Sequence, residues 1–281
     1  MWLAGMMDVA GLAPIEQTAL LTEYARALDS AHAHPILADP LASATVAQID
    51  CDFTSLGATA SVVALVALRA KMLDERIRAF VAAHSDAVVV DLGSGFNSAL
   101  HRVDPPATVD WYSVDLPAVI ALREALLPEH ASARSVAASV LESTWLKPIP
   151  ATRPTLVFAD GLFAFLDESA VMSVMRDVTG HFASGILAFN DYGPVSKLNQ
   201  LMGRLSTSRN ANSPHNQWKF AGFKDAHTPQ HWNPALQLIE EASGMHRPEA
   251  RLLPAGLRVA ARLSHRVPAI ARKARIVQYR F

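Results

Sequence analysis

Apolar positions change their period along this chain. In "EQTALLTEYARALDS" (Glu16–Ser30) they recur every three to four residues, as on one face of a helix. In "DPLASATVAQID", Asp39 followed by Pro40 predicts a second helix start, with an N-cap acid and a proline at the first helical position. A longer helix is predicted over Ser55–Ala82, where Val62, Leu65, Val66, Leu73, Ile77 and Phe80 form one stripe. Arg69 falls inside that stripe. A cation on an inward face needs an acidic partner, and that partner is either a protein carboxylate or an anionic ligand group.

From Ala87 the pattern becomes one of short apolar runs. "AVVVDLG", "VDWYSVDLP", "RSVAASV", "PTLVFADG" and "SGILAFNDYG" read as strands. Between them lie helices such as "AVIALREALL", opened by Pro117, and "LDESAVMSVMRDV", capped by Asp167. Such alternation predicts βαβ units and a mostly parallel sheet. The stretch Ser206–Pro229 is polar, dotted with aromatics and irregular, which predicts a lid or binding loop. Beyond it the pattern predicts a helix near Asn233–Ala242 and a strand near Arg247–Leu253. A helix in "AGLRVAARLSHRVPAIARK", broken near Pro268, and a terminal strand "ARIVQYRF" complete the chain.

Composition narrows the class. Of 281 residues, 51% are hydrophobic and 18% charged, enough for a large core and too apolar for general disorder. The formal net charge of −1 supplies no global attraction to nucleic acid or anionic membrane, so neither is expected as a partner. Nine Lys/Arg and one acid, Glu249, fall between Arg247 and Phe281. With no aromatic-interleaved RNA motif beside them, they read as a solvated helix face. The single cysteine, Cys51, excludes an intrachain disulfide and agrees with a cytoplasmic location. The apolar N-terminus lacks a positive leader region and reads as a mobile or docking arm, not a signal peptide. The longest apolar run, Ser61–Leu68, is too short to span a bilayer. His227 and His231 have the spacing of a helical metal pair, but Pro229 lies between them, and no metal site is expected.

The chemistry concentrates in "VVVDLGSGFNSAL" (Val88–Leu100). Gly93 and Gly95 allow a sharp turn and close approach of a ligand, and a following helix would favour anionic groups at its N-terminus. The dinucleotide fingerprint wants a third Gly or Ala, where this chain has Ser98. No Walker-type Lys-Ser/Thr ending is present. Asp91 precedes the glycines, positioned to anchor the turn or meet an ammonium group. Asp115 ends the second strand, positioned to accept ribose hydroxyls or to cap the next helix. Two acids suit S-adenosyl-L-methionine, with its amino group, sulfonium and diol, better than a pyrophosphate.

Together with "ILADPLA", "LRAKMLDERIRAF", "WYSVDLPAVIALREALLPE", "SVLESTWL", "LVFADGLFAFLDE" and "ARIVQYRF", these stretches resemble the leucine carboxyl methyltransferase superfamily, and within it bacterial O-methyltransferases of the polyketide-biosynthesis type. The resemblance implies an α/β class I methyltransferase sheet, mostly parallel with an antiparallel last strand. It divides the chain into an N-terminal helical region (1–84), a Rossmann-like core binding S-adenosylmethionine (85–205), a lid (206–230) and the C-terminal part of the core (231–281). It implies that Arg69 and Arg26 hold the methionine carboxylate, that Gly93 and Gly95 line the methionyl part, and that Asp115 takes the ribose with Leu116 beside the adenine. Ser139-Val140 stands where relatives carry an acid-apolar pair, and Asp160-Gly161 where they carry Glu-Gly. Relatives' "GLDTR" is "GFNSA" here. Asn97 replaces the acid, and the ion pair is expected to be lost.

For the acceptor, a small molecule is expected, with Phe163, Phe165, Asn190, Tyr192 and the lid residue His215 as candidate contacts. A carboxylate needs no base, whereas a phenol benefits from one. Two alternatives stand beside O-methyl transfer. One is an NAD(P)-dependent dehydrogenase, although Tyr192 and Lys197 miss the Tyr-x-x-x-Lys spacing by one residue. The other is a cofactor-binding protein without transferase activity.

Overall fold

The computed structural model describes residues 6–193, 218–220 and 222–281. Helices α1 (Thr18–Ser30), α2 (Ala42–Val46) and α3 (Ala60–Ala83) make up the N-terminal region, joined by a two-residue parallel pair, β1 (Met7–Asp8) and β2 (Ile49–Asp50). The predicted long helix starts at Ala60, five residues after the expected Ser55, and carries the whole apolar stripe. Phe53–Leu56 is a separate 3₁₀ turn closed by Gly57 in the left-handed region, and Thr59 caps α3 through its hydroxyl. Asp39 does not cap α2. It is buried and faces the core instead.

The core sheet has seven strands: β3 (Val88–Leu92), β4 (Asp110–Asp115), β5 (Ala133–Ala137), β6 (Thr155–Ala159), β7 (Gly185–Asp191), β8 (Gln237–Ser243) and β9 (Arg275–Arg280). Their order is β5-β4-β3-β6-β7-β9-β8, parallel as far as β7, with β9 antiparallel to both neighbours. The middle strands are buried on both faces, hence their nearly unbroken apolar runs. Val88, Val90 and Leu92 face one apolar layer with α6 (Glu168–His181). Val89 faces the other, built on α3 and α4 (Ala99–Val103).

Two predicted elements are corrected. The segment near Asn233–Ala242 is not a helix. Thr228–Trp232 is a short helix, and Gln237–Ser243 is the edge strand β8. Its Leu, Glu and Ala residues are good helix formers, but pairing with β9 overrides that preference. Arg247–Leu253 is not a strand, because Pro248 opens a 3₁₀ turn over Pro248–Leu252. The break at Pro268 is present, between the helix Ala255–Ser264 and a short turn of helix at Pro268–Ala271.

Candidate functional site

Strand order reverses between β3 and β6, since the chain builds outward from β3 to β5 and then returns to the other side. Ligands of open α/β sheets bind in the crevice at that switch point, beyond the carboxyl ends of the strands. A cavity of about 1090 Å³ lies there, and the residues just after β3, β4, β6 and β7 reach it.

Gly93 and Gly95 both take left-handed backbone angles, φ +64° and +49°. A Cβ on Gly93 would stand 3.0 Å from Leu162, and one on Gly95 would stand 3.2 Å from Ala19 of α1. The turn is therefore a cradle that only glycine fills without conflict, and α1 lies directly against it. The Asp115 carboxylate pins the turn by accepting the Gly95 N–H at 2.7 Å and the Leu116 N–H at 2.7 Å. Burial raises its pKa, partly offset by those two amides. Arg123, on α5 (Pro117–Leu126), braces the turn from the other side, donating to the Gly95 and Asn97 carbonyls at 3.0 and 2.7 Å. Asp91 is fully enclosed and neither of its oxygens has a hydrogen-bond partner. Burial drives its pKa well above the carboxylate range, against the pull of Arg123. An unsatisfied buried carboxylate beside a glycine cradle fits a ligand carrying an ammonium group.

Arg69 joins the site from α3. Its Nε lies 2.7 Å from Asp160, in an ion pair poorly angled for a hydrogen bond, and its Nη1 donates to the Tyr192 hydroxyl. Gly161, at φ +91°, lets the guanidinium approach, since a Cβ there would stand 2.9 Å from Nη2. Asn190 accepts the Gly161 N–H at 2.6 Å. Arg69 thus has a protein carboxylate partner and also lines the cavity. Arg26 lines it too, paired with buried Glu23 at 2.5 Å.

The cavity brings together Arg26, Arg69, Gly93, Gly95, Asp115 and Leu116 with Ser139, Val140, Asp160, Phe165, Asn190 and Tyr192. Two sequence candidates are placed elsewhere. Phe163 belongs to the core, its ring 4.7 Å from that of Phe189. Asp91 sits behind the glycine turn and does not line the cavity. His215, Lys197 and most of the 206–230 segment lie outside the described residues.

Asn97 carries no charge and hydrogen-bonds in place of an ion pair: Arg102, on α4, donates to Asn97 Oδ1 at 3.0 Å. The same guanidinium pairs with Asp74 at 2.7 Å and Asp39 at 2.7 Å. Ser98 adds a hydroxyl bond to Asp39 at 2.6 Å. Sequence reasoning also missed Arg123 and the buried pair Asp191–Arg275. No local motif signals either, because each partner lies far away in sequence.

Among the described residues, no group of His, Cys, Asp and Glu is placed to hold a metal, and no helix is long and apolar enough to cross a membrane.

This strand order, with a glycine cradle after the first core strand, an acid ending the second and a cavity at the switch point, defines a class I S-adenosylmethionine-dependent methyltransferase. Comparison with known proteins narrows the class. Residues 19–179 match the leucine carboxyl methyltransferase family, and the chain belongs to it. The tetracenomycin polyketide synthesis O-methyltransferase TcmP of Streptomyces glaucescens is 37% identical over 201 residues, covering 70% of this chain and 74% of that one. The S-adenosyl-L-methionine-dependent methyltransferase dpfgK of Gibberella zeae is 29% identical over 200 residues, covering 64% and 67%. Among solved structures, the magnesium protoporphyrin IX methyltransferase of Synechocystis with bound S-adenosylhomocysteine aligns over 77% of this chain and 85% of its own, at 8% identity and a TM-score of 0.49. Membership in the family sets the dehydrogenase alternative aside.

Proposed function

We propose that this protein methylates an oxygen of a small molecule, a carboxylate or a hydroxyl, of the polyketide-like kind named for the relative TcmP. The cavity carries the proposal. Ligand pockets commonly enclose about 300–1,000 Å³, and about 1090 Å³ leaves room for an acceptor beside the cofactor.

The cofactor supplies a methyl group already activated on a sulfonium. Gly93 and Gly95 let the backbone approach the methionyl part, and Arg69 and Arg26 offer cations to its carboxylate. Asp91 balances its ammonium through the turn. Asp115 retains lone pairs for ribose hydroxyls, with Leu116 and Ser139-Val140 along the adenine. Phe165, Asn190 and Tyr192 border the acceptor side. Methyl transfer then needs alignment of the acceptor oxygen and exclusion of water. An acceptor carboxylate is ionised at neutral pH and asks only to be oriented.

The test is incubation with methyl-labelled cofactor and a panel of aromatic acids and phenols. Base-labile methyl esters or stable methyl ethers are the expected products. Label appearing only on nitrogen or carbon would overturn the proposal.

A further inference from the structure

The cavity continues past the glycine turn. Along α3 its lining runs from Val62 through Leu65 and Arg69 to Met72, about 15 Å of helix at 1.5 Å per residue. Apolar residues of the C-terminal part line the same cavity: Leu257 and Ala260 of the helix Ala255–Ser264, with Ile270, Ala274, Met245 and Ile276. Met245, Leu257, Ala274 and Ile276 belong to one apolar cluster with Leu65 and Met72 of α3. The polar lining groups on this side pair with one another: Arg69 with Asp160 and Tyr192, and Arg275 with Asp191 at 2.5 Å. In Ala255–Ser264, Ala261 and Ser264 are buried, while Leu257, Ala260 and Ile270 are half-buried and line the cavity. Apolar side chains lining a cavity fit an apolar guest.

We propose that this arm between α3 and the C-terminal helix receives the extended hydrocarbon body of the acceptor. The oxygen to be methylated is then held near Arg69, Asp160 and Tyr192, and the acceptor is an amphiphile with one polar end. This rests on the methyl-transfer reading and adds the acceptor's shape to it.

Straight-chain alkanoates of six to twelve carbons, titrated calorimetrically into protein saturated with S-adenosylhomocysteine, test the arm directly. Burying one methylene strengthens binding about fourfold, so affinity is expected to climb with chain length until the arm is full. Ala260→Trp fills the arm. It is expected to weaken the longest alkanoate at least tenfold and leave S-adenosylhomocysteine affinity within twofold. Should that variant fail to fold, Leu257→Ala widens the arm and is expected to move the preferred length upward. S-adenosylhomocysteine binding with no dependence on chain length overturns the arm and leaves methyl transfer standing. Failure to bind S-adenosylhomocysteine overturns both.

Discussion

Three residues at the site act through different physics. Arg69 offers a buried guanidinium to the cavity while pairing with Asp160. Truncating it in Arg69→Ala removes a charged hydrogen-bond donor, and S-adenosylhomocysteine binding is expected to weaken by roughly 1.5–3 kcal/mol by calorimetry. Unchanged affinity would make Arg69 a structural partner of Asp160 alone. Gly95 acts through backbone geometry. In Gly95→Ala a left-handed angle costs about 1–2 kcal/mol, and the new methyl presses on Ala19. The urea midpoint is expected to fall, and the cofactor to bind less tightly. Asp91 acts through its proton. Burial raises its pKa in the folded chain above the ordinary 3.8, so the folded state holds a proton that the unfolded state has released. Asp91's own contribution to the stability of the ligand-free protein is thus greatest below the ordinary value and is lost as pH climbs through the raised one. An ammonium held on the cavity side of the glycine turn favours the ionised form of Asp91 through space, so cofactor affinity is expected to rise over the same interval with release of a proton. Calorimetry in buffers of different ionisation enthalpy checks this, and Asp91→Asn is expected to abolish the proton release.

At the scale of elements, two buried charge clusters join segments distant in sequence. Arg102 of α4 ties the segment before α2 to α3 through Asp39 and Asp74. Arg275 of β9 holds Asp191 at the end of β7 and donates to the Phe223 carbonyl at 2.7 Å. Removing one partner strands the other charge. Arg275→Met is expected to cost about 3–5 kcal/mol in chemical denaturation, and replacing Asp191 by Leu as well should recover part of it. Neither cluster was legible in the sequence, because a buried arginine looks like any other until its carboxylate is brought near by the fold. The parallel strands were legible, since burial on both faces leaves an apolar run that few other elements produce. The glycine turn was legible because backbone geometry dictates its residue type. β8 was not. An edge strand with one wet face carries helix-forming residues as readily as strand-forming ones, and only its pairing with β9 decides between them. Phe163 and Phe165 were indistinguishable by type; the 3₁₀ turn at Phe163–Phe165 sends one into the core and leaves the other at the cavity.

Across the whole molecule the cavity draws on both the N-terminal helices and the sheet. Ala19, Thr22 and Arg26 of α1 line it together with the turns after β3 and β4. A ligand there stabilises both regions together. At a hundred times its dissociation constant, S-adenosylhomocysteine is expected to add about 2.7 kcal/mol to unfolding. Hydrogen exchange is expected to slow in α1 as well as around Gly93–Asn97. Protection confined to the sheet would show that α1 takes no part in binding.

β7 ends at Asp191, and just beyond it Gly193 and Gly222 lie against each other. A Cβ on Gly222 would stand 2.6 Å from both the Gly193 carbonyl and Asp191 Oδ1. Asp191 also accepts the Phe223 N–H, and Arg275 donates to the Phe223 carbonyl, so the two points on either side of 194–221 share one anchor. Asp191, Arg275 and Phe223 all lie outside 194–221, so the anchor does not depend on what that stretch contains. Grafting a relative's segment between Gly193 and Gly222 is therefore expected to keep the register of β7 against β9, with Ile186 still opposite Arg280.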